Sequence, residues 1–130
     1  MVSDETHYDG IPHEDLPIDA IEWTEARIEH VRSRSQRYGA REFDVEPEWA
    51  TEAALDVDRL IAPDLPRCTA VKVIGQSPSA PPRVAGEPGR ILKVWLVPKS
   101  HPPVGDWWGV SACEANSGDR RRYRRREETP

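Results

Sequence analysis

The sequence predicts an α+β domain: two N-terminal helices, an antiparallel sheet of about four strands and a C-terminal helix. Three observations carry that expectation. Apolar residues recur at helical spacing up to about residue 56 and alternate with period two after it. The stretches joining the alternating runs are rich in turn residues and suit antiparallel neighbours, since a parallel return needs a crossover with its own helix. Finally, Arg120, Arg121, Arg122, Arg124, Arg125 and Arg126 crowd around Tyr123 in one helical run. Helices and strands segregated in this way pack as α+β.

Residues 1–17 hold Gly10, Pro12 and Pro17 among acids with little periodicity, which predicts a flexible acidic arm. A single domain is expected over residues 18–130, with Pro-rich loops near 75–90 and 98–105. Within it, Ile21, Ile28, Val31 and Tyr38 lie at helical spacings, Thr24 is suited to cap the helix and Gly39 to stop it. Arg32, Arg34 and Arg37 then complement the negative end of the dipole. The preceding Ile21-Glu22-Trp23 reads equally as a strand. A second helix is expected in FDVEPEWATEAALD, where Pro47 suits the first turn and Trp49 and Ala53 share a face.

Strands are expected at 69–75, 90–97 and 106–112, with a weaker one at 57–62. In the second, Leu92, Val94 and Leu96 face one way, with Lys93 and Trp95 opposite. Trp107 and Trp108 are adjacent on a strand and must point to opposite sides, so one of them is a candidate surface aromatic. Asn116 or Ser117 can cap the last helix, which begins near Asp119.

The chain has 130 residues, of which 32% are charged, and thirteen prolines, so one modest core is expected. Its net charge of −5 is unevenly spread: residues 1–66 carry −11 and residues 67–130 carry +6. The basic half suits an acidic partner such as nucleic acid, or else the two halves neutralise each other. No apolar window is long enough to span a membrane, and the acidic N-terminus lacks the apolar run of a signal peptide, so a cytoplasmic location is expected. Cys68 and Cys113 are expected as free thiols, and the scattered histidines at 7, 13, 30 and 101 give little support for a zinc site; no metal or cofactor is expected.

Four strings, IEWTEAR, RYGAREFDVEPEWA, VKVIG followed by RILKVWLV, and SACEANSGDRRRY, resemble in order and spacing the BrnT family of bacterial type II toxins, which share the RelE-like ribonuclease fold. The likeness covers roughly residues 20 to 126, and in the last string Ser111, Ala112, Ala115, Arg120, Arg121 and Tyr123 match without a gap. It implies an endoribonuclease that cleaves RNA without a metal, inhibits translation and is held by a cognate antitoxin, with RNA or the ribosome as target. Several positions depart from the family pattern. Tyr38 stands for a histidine, Cys113 for an arginine and Glu114 for a lysine, while Arg67 and Lys72 are merely near another expected arginine.

RNA cleavage of this kind needs a group that activates the ribose 2′-hydroxyl and a cation that steadies the phosphate. The candidates are Tyr38, His30, Lys72 and Arg90. Arg90 matches the family's strand-opening arginine; its bland reading is a charge ending a hairpin. Tyr38 otherwise closes its helix against the sheet. Lys72 and Lys93 can share a face, or simply guard strand edges. Arg120 with Arg124 and Arg121 with Arg125 form stacked pairs four residues apart, the candidate nucleic-acid contacts. Two other readings stand beside the toxin. One is a catalytically silent RelE-like domain that binds protein or nucleic acid; the other is an accessory domain whose arginines pair with its own residues 42–58.

Overall fold

The computed structural model describes residues 7, 8, 10–64 and 70–128. From the N-terminus, β1 (His7–Tyr8) and β2 (Ile11–Pro12) pair antiparallel, and a 3-10 turn at His13–Asp15 follows. Next come β3 (Ile18–Glu22), α1 (Glu25–Arg32), α2 (Arg34–Tyr38) and α3 (Pro47–Ala54). The sheet strands β4 (Leu60–Pro63), β5 (Val71–Ser77), β6 (Arg90–Pro98) and β7 (Gly105–Glu114) lead to α4 (Ser117–Glu128). The fold is α+β, as the segregation of the two periodicities predicts. β4 to β7 pair antiparallel in chain order, and β3 adds a fifth strand beside β7.

Each helix begins where its sequence provides an acceptor or a preset angle. Thr24 accepts a hydrogen bond from the Arg27 amide at 3.3 Å, and Pro47 occupies the first turn of α3. Asn116, one of the two cap candidates, accepts from the Asp119 amide at 2.8 Å. The expected helix from Thr24 to Gly39 is broken at Ser33. There the Ser33 amide and hydroxyl both donate to the Glu29 carbonyl, at 3.1 and 2.6 Å, while the Ser33 backbone (φ −115°, ψ 23°) leaves the helical region, so α1 and α2 are separate segments.

One face of the sheet carries Val71, Val73, Leu92, Val94, Leu96 and Trp107, all fully buried. Ala50, Ala53 and Ala54 of α3 lie on them, together with Val31 of α1 and Val45. Small residues let α3 approach closely: a Cβ on Gly75 would stand 1.9 Å from the Ala53 carbonyl oxygen. Gly109 likewise leaves room for the Trp23 ring. The helical and alternating periods therefore meet in one apolar layer.

Two expectations change. The described part of the proposed flexible arm is structured: His13 and Leu16 are buried, Leu16 joins the core, and the Trp107 indole donates to the Pro17 carbonyl at 2.7 Å. The arm's single leucine supplies apolar burial that its acidic surroundings conceal. The sheet is also not wholly antiparallel, because β3 runs parallel to β7; α1 to α3 and three further strands separate them in the chain, ample for a parallel return. No helix among the described residues is long and apolar enough to cross a membrane. Cys113 is a buried free thiol, while Cys68 and Arg67 lie outside the described residues.

Candidate nucleic-acid interface

The second face of the sheet is only partly covered. Strand register places Lys72 opposite Trp95 and Trp95 opposite Ser111, with Ile74, Lys93 and Cys113 in the next row. α4 lies over that second row. Tyr123 packs with Ile74, Ile91, Ala115 and Leu60, and its hydroxyl donates to Asp56 Oδ2, which also accepts from the Gln76 amide at 2.8 Å. Asp119, buried, lies 2.7 Å from Lys93 Nζ and also binds Arg122. The terminal helix is thus fixed by a tyrosine and a buried ion pair.

Beyond α4 the face stays accessible. Trp95, Val97, Ser111 and Lys72 are half-buried there, and Trp108 is 36% exposed. The adjacent tryptophans divide as expected: Trp107 enters the core and Trp108 faces outward. Lys99 Nζ sits 4.2 Å from the Trp108 ring centroid and 2.8 Å from Glu22 Oε1. Lys72 has no carboxylate partner among the described residues, and Lys93 Nζ is 5.7 Å from the Trp95 ring. Aromatic faces beside lysines can stack bases and hold a phosphate backbone.

The four candidate catalytic residues do not form one site. Lys72 is on the open face, whereas Arg90 shares strand parity with Leu92 and points to the helix-covered face. Arg90 is also spent: its guanidinium lies 3.8 Å from the Phe43 ring centroid, donates to the Pro81 carbonyl at 2.6 Å and pairs with Glu114 at 3.1 Å. Glu114, which also pairs with Arg83 at 2.6 Å, therefore neutralises the cation that a phosphate would require. Its role depends on the β6–β7 register, which sequence reading lacked.

His30 and Tyr38 lie on α1 and α2. Partial burial first, then the charges of Arg37, Arg27 and Arg34, hold the His30 imidazole below its ordinary pKa, so it is neutral at pH 7. Tyr38 does not close the helix against the sheet; it is 61% exposed, with Arg34 and Arg37 guanidiniums 4.7 and 5.5 Å from its ring centroid. The broken helix turns it outward. Cys113 offers no nucleophile, since burial pushes its thiol pKa up.

Of the stacked arginine pairs, the first is engaged within the fold. Arg120 donates to the Ala115 carbonyl and Arg124 pairs with Glu87 at 2.8 Å. Arg121 and Arg125 are exposed. Arg122 and Arg124 take their carboxylates, Asp119 and Glu87, from the basic half of the chain and not from residues 42–58. Among the described residues, these two α4 arginines are thus neutralised within the basic half, whereas Lys99 pairs with Glu22 of the acidic half. Among the described residues, no three or more His, Cys, Asp or Glu side chains converge to hold a metal ion.

No protein-family model, no curated protein and no solved structure matches this chain.

Proposed function

We propose that the protein is a single-stranded RNA-binding module of the RelE-like kind, without cleavage chemistry of its own. The observation that carries this reading is the open sheet face, where Trp108, Trp95 and Lys72, which meets no carboxylate among the described residues, lie together. Exposed Arg121 and Arg125 on α4 extend the basic surface. The order of helices, antiparallel strands and terminal helix is the one that the BrnT-like resemblance implies, which supports the same kinship. Arg90 bound by Glu114 and the separation of Lys72 from His30 by the sheet favour binding over catalysis. Within this reading a cognate antitoxin is the expected protein partner.

One observation favours the endoribonuclease toxin as a second reading: His30 is kept neutral among arginines, as a general base requires. The two readings separate in one experiment. The protein is incubated with a labelled single-stranded RNA, and both binding and strand integrity are followed. Binding without cleavage is expected. Trp108→Ala should weaken binding by about 1–3 kcal/mol through lost stacking, and affinity should fall as salt rises. Cleavage abolished by His30→Ala would establish the enzyme instead. Affinity that ignores salt would eliminate phosphate contacts and with them the RNA reading.

A further inference from the structure

A groove of about 410 Å³ lies between α1 and α3, on the helix-covered side of the sheet. The two helices run antiparallel. Arg32 at the end of α1 pairs with Glu46 at the start of α3, 2.8 Å apart, while the Trp23 indole, before α1, donates to the Thr51 hydroxyl at 3.1 Å. Trp23, Arg32 and Thr51 all line the groove, so its polar groups on those residues are already engaged across it. Ile28 and Pro47 line it as well, and Trp23 and Ile28 are half-buried. The surface left for a partner on these residues is mainly apolar.

The charge left over is negative. Glu48 and Glu52 line the groove, one turn apart on α3. Glu48 is exposed, and no cation among the described residues meets its carboxylate. Glu52 accepts hydrogen bonds from the Ser77 and Ser79 hydroxyls, both at 2.7 Å, but no cation among the described residues pairs with it. Partial burial raises its pKa, yet those bonds outweigh the burial and leave it lowered, so it is ionised at neutral pH. Arg32 is the one cation among the lining residues, and Glu46 neutralises it. Beyond the groove, exposed Glu25 and Glu29 lie on the side of Ile28 away from the buried Val31, at about 100° per residue, and extend the negative field.

We propose that this groove receives a basic amphipathic helix of a partner protein. Its apolar side chains rest on Trp23, Ile28 and Pro47, and its lysines or arginines face Glu48 and Glu52. No strand residue lines the groove, so an extended peptide would find no backbone partners there, whereas a helix brings its own hydrogen bonds. α1 and α3 have eight residues each, about 12 Å of helix, which matches apolar anchors at i, i+4 and i+7 spanning about 10.5 Å. The protein's own basic helix does not fit this description. In α4 Tyr123 is buried and no other large apolar residue is present, so the occupant is a different chain. The negative charge also sets the groove apart from the open face with Trp108, on the other side of the sheet, and the proposal does not rest on the RNA reading.

Fluorescence anisotropy with the full chain tests the proposal. The probe is a labelled synthetic helical peptide with leucines at i, i+4 and i+7 and lysines on both flanks. Its counterpart carries glutamates in place of the lysines. The basic peptide is expected to bind and the acidic one not, with affinity falling as salt rises. Glu48→Lys should weaken binding by at least about tenfold. Asp58→Lys makes the same charge change at an exposed site outside the groove and should alter binding by less than about threefold. Ile28→Ser should weaken binding at every salt concentration, because it removes apolar contact surface. Circular dichroism verifies folding, and Glu48→Lys, at an exposed position, decides the matter even where Ile28→Ser does not fold. Absence of binding by the basic peptide at low salt overturns the proposal, as does equal binding of the two peptides. Equal losses in Glu48→Lys and Asp58→Lys would reduce the effect to net charge and overturn it too. A wild type that sediments as a dimer and is split by Glu48→Lys assigns the groove to a second copy, which likewise overturns it.

Discussion

Gly75→Ala is expected to lower the unfolding free energy by about 3 kcal/mol. The added Cβ would lie 1.9 Å from the Ala53 carbonyl oxygen and 2.8 Å from its carbon. Both atoms belong to backbone, so no side chain can rotate away. α3 must lift from β5, loosening Ala50, Ala53 and Ala54 from the sheet. With a total stability of about 5–15 kcal/mol for a domain, that is a large share. Urea unfolding should show a lower midpoint with an unchanged slope. Gly118→Ala supplies the comparison, because a Cβ there is no closer than 3.5 Å to a neighbouring atom and the site opens α4. Its effect should be neutral or stabilising by up to about 1 kcal/mol. Equal destabilisation by both substitutions would remove the close approach of α3 as the cause.

Lys93→Ala is expected to cost about 2 kcal/mol at neutral pH and to change the acid side of the stability curve. Asp119 is 5% exposed, and Lys93 is its better-sheltered cation. Arg122 remains as a partner, but its side chain is 61% exposed and screened by water, so Arg122→Ala should cost about 0.5 kcal/mol or less. Burial alone raises the Asp119 pKa, yet hydrogen bonds and charge from Lys93 and Arg122 outweigh it and hold the pKa below its ordinary value. A depressed carboxylate pKa adds stability that is complete above the unfolded value. That stability is lost as pH falls through the lower folded value. The wild type should therefore lose stability on acidification more steeply than Lys93→Ala. Urea midpoints collected from neutral to acid pH compare the two directly, and parallel acid limbs would show that the Lys93 pair sets no part of the slope.

Much of the fold is legible in single residues. Thr24, Pro47 and Asn116 mark helix starts because capping and a fixed φ act within one turn of chain. Leu92, Val94 and Leu96 identify the inner face of β6 because alternation is a local property of an extended chain. Leu16 was missed for the opposite reason. Its burial depends on a surface assembled by distant strands, and the apolar alternation it forms with Ile18 is too short to stand out among acids and prolines. The break at Ser33 leaves no sequence signal, because serine also occurs within helices and only its backbone angles, φ −115° and ψ 23°, end α1.

The candidate site divides in the same manner. Alternation places Lys93 and Trp95 together, and adjacency obliges one of Trp107 and Trp108 to face outward. Which tryptophan is exposed follows from β3 and Pro17, and the Pro17 carbonyl meets the indole of Trp107 across 90 positions of chain. Arg90 and Glu114 illustrate the limit most clearly. A basic residue at a strand opening resembles a phosphate contact until the neighbouring strand brings a carboxylate beside it. Tyr38 shows the reverse: an aromatic at a helix end looks like core, but the break at Ser33 leaves it exposed among arginines.

Sequence alone determined the α+β class, the starts of α1, α3 and α4 and the inward faces of the central strands, because those depend on torsional preference and period within a few residues. Tertiary structure decided where β3 inserts, which charges are spent on one another and which half of the sheet stays open. Those outcomes depend on strand register and helix approach between segments far apart in the chain. A charge displays the same letter whether it is paired or free, and only its neighbours in space determine which.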